Sequence, residues 1–126
     1  MVDFFNNKQK IILVCGASGV GKSTTAKLLA RKLNAKLLTS EKVIMKLFGK
    51  TSNENKDKDF NKKELELGYK VMFMLGEQLT REKKSVVFDG VFRSEEQRNV
   101  VMDLALKYNV RLKIVKVICP EDIVKE

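Results

Sequence analysis

Apolar residues fall along the chain in two kinds of run. Short, nearly continuous stretches occur at 10–15 (KIILVC), 35–40 (AKLLTS), 85–89 (SVVFD) and 111–119 (RLKIVKVIC). They read as β-strands, and the glycine-bounded first one as a strand buried on both faces. Between them lie longer segments whose apolar positions recur every three or four residues, the period of a helix. Ala26, Leu29, Ala30 and Leu33 recur in KSTTAKLLARKL, and EKVIMKLFG is a short helix closed by Gly49. Leu65, Tyr69, Met72, Leu75 and Leu79 mark a helix over 65–83, with its methionines as core filler. Val101, Leu104 and Tyr108 mark another over 94–108, opened by the capping-box pair Ser94 and Gln97. Pro120 stops the fourth strand. The stretch 50–64 (KTSNENKDKDFNKKE) is the one segment poor in apolar residues and reads as an exposed, mobile polar loop. Strands alternating with helices predict an α/β fold: a parallel sheet with helices on both faces.

At 126 residues the chain is expected to form a single domain, 1–126, with a real core. Hydrophobic residues make up 44% and charged residues 33%, a globular composition. There is no run long enough to span a membrane and no secretory leader at MVDFFNNKQK, which implies a cytoplasmic protein. Histidine is absent, which excludes His-based acid–base chemistry and His-ligated metals. Cys15 and Cys119 fit no metal spacing and read as buried, reduced thiols. The net charge of +9 favours anionic partners such as nucleotides, nucleic acid or phosphorylated metabolites. The basic residues lack aromatic interleaving, so the charge does not by itself mark a nucleic-acid groove.

The chemistry begins at Gly16-Ala17-Ser18-Gly19-Val20-Gly21-Lys22-Ser23, which fits G-x-x-x-x-G-K-[ST] between a buried strand and a helix. Glycines at these positions let successive backbone N–H groups turn inward on phosphate oxygens, and the helix N-terminus adds partial positive charge. Lys22, read as exposed at the loop and outside the core, would reach the β- and γ-phosphates of ATP. The Ser23 hydroxyl would hold Mg²⁺, and Thr24 would contact the α-phosphate. Asp89 closes a buried strand at its carboxyl end, the edge at which open α/β sheets bind ligands. It either orients Mg²⁺ and substrate or simply forms an Asp-Gly turn.

These residues resemble the P-loop small-molecule and polynucleotide kinases, in particular the group that includes polynucleotide 5′-kinase-like and zeta-toxin-like domains. The resemblance runs from about Lys10 to the end of the chain and is carried by GASGVGKST, LLTSEKVI, SVVFDGVF and CPED. It implies a three-layer α/β/α P-loop NTPase fold of the nucleoside-kinase-like branch, with strand order 2-3-1-4 and a fifth strand missing. It also implies ATP and Mg²⁺ as cofactors. In that family a Ser-Asp-x-x-Arg segment supplies a carboxylate base and a substrate arginine. Here the segment is Ser40-Glu41-Lys42-Val43-Ile44, so Glu41 is either the base or a first-turn helix acid, and Ile44 replaces the arginine. DGVFRSEEQ is similar to the Asp-Gly-Phe-Pro-Arg-x-x-x-Gln segment of adenylate kinases, with Phe92 in place of proline. That likeness makes Arg93 and Gln97 acceptor contacts, and Arg93 and Arg98 are either phosphate clamps or solvated charges.

The function implied is ATP- and Mg²⁺-dependent transfer of a γ-phosphate to a hydroxyl or phosphate of a small molecule or polynucleotide end. Lys22, Glu41, Asp89 and Arg93 would carry it. The alternative is a nucleotide-binding module without phosphotransfer, serving regulation or assembly. In the family an arginine-bearing lid follows the CPED-like turn, and its omission here implies a C-terminally incomplete domain with slow or absent turnover. It also implies self-association through the edge strand 111–119.

Overall fold

The computed structural model describes residues 8–16, 21–49 and 61–118. Most of the 50–64 loop, Ala17 to Val20 of the glycine motif, Cys119, Pro120 and the CPED turn lie outside the described residues. In chain order the elements are β1 (Lys10–Cys15), α1 (Lys22–Leu33), β2 (Lys36–Thr39), α2 (Ser40–Phe48), α3 (Lys62–Arg81), β3 (Val86–Asp89), α4 (Glu95–Tyr108) and β4 (Arg111–Lys116).

The strands form one parallel sheet in the order β2-β3-β1-β4, as the resemblance implied. β1 lies between Val86–Asp89 and Arg111–Lys116, with Ile11 opposite Val86 and Lys10 opposite Arg111. Every residue of β1 and β3 is buried, whereas the edge strands β2 and β4 are partly exposed. The alternation along β1 feeds two cores. Ile11, Leu13 and Cys15 pack with Val86, Phe88, Tyr69, Met72, Val101 and Leu104 beneath α3 and α4. Ile12 and Val14 pack with Val87, Ala26 and Ala30 beneath α1. Cys15 is a buried free thiol.

Two expectations change. α3 starts at Lys62, not at 65, because Asn61 and Glu64 close a reciprocal capping box: Glu64 N–H donates to Asn61 Oδ1 (2.8 Å) and Asn61 N–H donates to Glu64 Oε1 (3.0 Å). Those two residues belong to the helix start that the polar composition of 50–64 concealed. The buried face of α3 also differs from the leucine stripe. It runs Gly68, Tyr69, Met72, Gly76 and Thr80, while Leu65 and Leu75 are exposed and Met74 more so. The reason is close approach. A Cβ on Gly68 would stand 2.1 Å from Ile44 Cγ1, and one on Gly76 would stand 2.2 Å from Phe88 Cζ. The helix axis therefore lies nearer α2 and β3 on its glycine side, Leu65 and Leu75 turn outward, and Leu79 packs against the core only in part.

α3 and α4 are also joined at the surface. Glu77 Oε2 accepts from the Tyr108 hydroxyl (2.7 Å) and Lys107 Nζ (2.9 Å), and Arg81 Nε donates to the same Tyr108 oxygen (3.1 Å). The Tyr108 hydroxyl first, and Lys107 after it, hold the Glu77 carboxyl below the ordinary glutamate range. A carboxylate lowered in the folded state contributes stability above its unfolded pKa and loses it as pH falls through the folded value. Glu77→Gln is therefore expected to flatten the acid limb of the stability curve from about pH 5 downward. Thermal melts of both proteins across that range check this, and parallel curves would show that the network contributes nothing.

Candidate nucleotide site

Parallel strands bring their carboxyl ends to one edge, and two of the sequence-predicted residues, Lys22 and Asp89, meet there beside Thr39. Asp89 ends β3 with Val14 of β1 on one side and Thr39 of β2 on the other. Lys22, the first residue of α1, places Nζ 3.0 Å from Asp89 Oδ1. Thr39 Oγ1 lies 3.5 Å from the second carboxylate oxygen. The side chains of Lys22 and Asp89 are only 11% and 2% exposed, so this is an inward ion pair. The sequence reading of Lys22 as exposed is thereby corrected: its aliphatic stem is covered and its charge is directed at Asp89. Thr39 was not singled out from the sequence, where its place at the end of a short strand was its only signal.

The glycines that flank the loop are held in conformations other residues avoid. Gly16 has φ +142°, and a Cβ there would fall 2.4 Å from the Val117 carbonyl oxygen just past β4. Gly21 has φ +89° and is the N-cap of α1, its carbonyl accepting from Thr25 N–H. A glycine cap offers no side-chain acceptor, and the first turn of α1 carries no acidic residue. α3 and α4, by contrast, both have complete capping boxes. Among the described residues no side chain caps the first N–H groups of α1, which lie next to exposed Ser23 and Thr24.

The remaining candidates distribute around this edge. Glu41 is exposed in the first turn of α2. Ile44, at the position where the resemblance places an arginine, is buried against Gly68 of α3 and so performs packing. Arg93 is exposed in the turn after Asp89. Arg98 does not stand as a solvated charge: its Nη1 donates to the Phe92 carbonyl (2.8 Å) and the Arg93 carbonyl (3.1 Å). Gln97 completes the cap of α4, Ser94 accepting from its N–H at 3.1 Å. Among the described residues no group of three His, Cys, Asp or Glu side chains gathers as a metal cage, and no helix is long and apolar enough to cross a membrane.

Comparison with solved structures gives the same fold. A candidate kinase from Chloroflexus aurantiacus superposes with a TM-score of 0.74 at 15% identity over 93% of this chain and 63% of that one. The Mycobacterium tuberculosis APS kinase CysC in complex with AMPPNP and APS gives 0.69 at 19% identity, covering 94% and 67% of the two chains. A chain of the Pnkp1/Rnl/Hen1 RNA repair complex gives 0.70 at 20% identity, covering 95% and 37%. This chain therefore spans less than two thirds of the length of the first and third of these. No curated protein sequence matches it. A family model described as an AAA domain matches residues 11–126, almost the whole sequence with the glycine loop and Asp89 inside it, and the chain belongs to that family, with the fold of the P-loop kinases.

Proposed function

We propose that the protein binds ATP with Mg²⁺ and transfers the γ-phosphate to a hydroxyl or phosphate of an anionic acceptor. The observation that carries this reading is the Lys22–Asp89 pair, which joins the start of α1 to the end of β3 where phosphate and acceptor would meet. In such a site the protein contributes positioning and electrostatics more than covalent chemistry. The uncapped N–H groups of α1 and the loop from Gly16 to Gly21 would receive the phosphates. Lys22, already at the loop, would share its ammonium donors between Asp89 and a phosphate oxygen. The hydroxyl of Ser23 and the carboxylate of Asp89 are hard oxygen donors of the kind Mg²⁺ takes beside phosphates and water. They would hold the ion, which when bound neutralises charge on the phosphates. Thr24 would contact the α-phosphate.

With Asp89 paired to Lys22 and given to the ion, Glu41 is the candidate carboxylate that would take the acceptor's proton. Arg93 would meet the acceptor's negative charge. The relatives support the class without naming the acceptor. One was solved in complex with APS and another belongs to an RNA repair complex, and the +9 charge fits either kind of anion.

Calorimetry with ATP and Mg²⁺, followed by transfer from γ-labelled ATP to a 5′-hydroxyl oligonucleotide and to a metabolite pool, tests the proposal. ATP binding and a labelled product are expected. Binding without any labelled product would replace the reading with a nucleotide-binding module. Absence of binding would remove both.

A further inference from the structure

The turn from Asp89 to α4 is restrained more heavily than its length requires. Gly90 N–H donates to the Val14 carbonyl, which ties the start of the turn to β1. A Cβ at Gly90 would fall 2.8 Å from the Tyr69 hydroxyl and 3.0 Å from Ser40 Oγ, so the backbone passes hard against α2 and α3. Phe92 follows in the left-handed region at φ +47°, a conformation that a bulky side chain rarely takes. Its ring is 1% exposed and meets Tyr69 edge-on, centroids 5.2 Å apart.

Both backbone polar groups of Phe92 are then claimed by side chains. Its N–H donates to the Tyr69 hydroxyl (3.3 Å), and its carbonyl accepts from Arg98 Nη1 (2.8 Å). The same Nη1 reaches the Arg93 carbonyl at 3.1 Å. Strained backbone persists where surrounding contacts over-determine it, and such places cluster at functional sites. What these contacts fix is the backbone on either side of Arg93, whose own side chain is exposed, four residues past Asp89.

We propose that Tyr69 and Arg98 are positioning residues that hold this turn in its strained shape and so preset Arg93 to receive the anionic group of the phosphoryl acceptor. The inference rests on the phosphotransferase reading of the site. A guanidinium whose backbone is already ordered loses less freedom on binding than one on a loose loop, and its planar fork suits phosphate oxygens. Arg98 thus acts through the backbone of its neighbours, and Arg93 alone touches the ligand.

Nuclear magnetic resonance on the full chain tests this, with inorganic phosphate as the probe and the Arg93 Nε–H signal as the reporter. In the unaltered protein, phosphate is expected to shift that signal. Tyr69→Phe keeps the ring on Phe92 and removes only the acceptor oxygen. It should weaken phosphate binding at Arg93 about fivefold and speed exchange of the Phe92 amide by at least as much, the scale of one hydrogen bond. Arg98→Gln should weaken binding about tenfold, as loss of a charge-assisted contact does, and Arg98→Lys should recover part of it. Faster exchange with unchanged phosphate binding would overturn the proposal, as would an Arg93 signal indifferent to phosphate. Adding ATP to the same samples and following the Lys22 and Ser23 amides reads the nucleotide site separately. Their failure to respond counts against phosphotransfer, while the Arg93 readings still decide the role of Tyr69 and Arg98.

Discussion

Replacing Lys22 with alanine should lower the stability of the protein by about 3 kcal/mol as well as abolish nucleotide binding. Binding is lost because the loop loses the ammonium directed at the phosphates. Stability falls because of what is left behind. Asp89 is 2% exposed, and without Lys22 its remaining side-chain partner among the described residues is Thr39 Oγ1 at 3.5 Å. Removing one member of a buried ion pair costs far more than the pair is worth, since the survivor keeps its desolvation penalty. Chemical denaturation should show the loss. The double variant Lys22→Ala/Asp89→Asn should recover most of it without regaining ATP. If Lys22→Ala unfolds at the same denaturant concentration as the unaltered protein, the pair does not bear on folding. If its nucleotide affinity is unchanged, the loop is not a phosphate site.

Gly76→Ala is expected to destabilise the protein by about 2 kcal/mol, opposite in sign to the usual effect of that change in a helix. Alanine normally gains about 1 kcal/mol over glycine in a helix interior. Here the new methyl would sit 2.2 Å from Phe88 Cζ and 2.5 Å from Cε1, and Phe88 is fully buried in the middle layer of the sheet. Neither partner can retreat without opening the core, and overpacking of this kind costs roughly 1–3 kcal/mol or more beyond the propensity gain. Phe88→Leu is destabilising alone but should be partly compensating beside Gly76→Ala, a coupling that a double-mutant cycle measures. A rise in melting temperature for Gly76→Ala alone would show that α3 is free to shift away from β3.

These two residues show where the sequence is legible and where it is not. The buried strand at 10–15, the carboxylate at the end of 85–89, the Gly49 cap and the Ser94–Gln97 box are each local in cause, and each stands as read. The order of the strands follows only from resemblance, because nothing in the alternation of β and α says which strands are neighbours. The buried face of α3 is hidden from the sequence for a related reason. Hydropathy ranks leucine above glycine, yet a backbone pressed against Ile44 and Phe88 needs positions with no side chain at all. Lys22 reads in the sequence as a candidate phosphate ligand and not as half of a buried pair, since its partner Asp89 lies across the fold. The roles of Tyr69, Phe92 and Arg98 depend on a single left-handed residue for which no local signal exists.

β1 lies in the middle of the sheet and is also the first strand in the chain. Both of its hydrogen-bonding partners, β3 and β4, come from the far end of the described sequence. As the polypeptide leaves the ribosome, the apolar strand Lys10–Cys15 must wait with both edges unpaired until β3 has been synthesised, and with one edge unpaired until β4 has. Contacts between residues so distant along the chain make folding slow, and an unpaired hydrophobic strand is the feature that aggregation and chaperones both recognise. Gly16 follows that strand directly and Asp89 ends one of its late partners, so the candidate nucleotide site takes shape only after this long-range pairing.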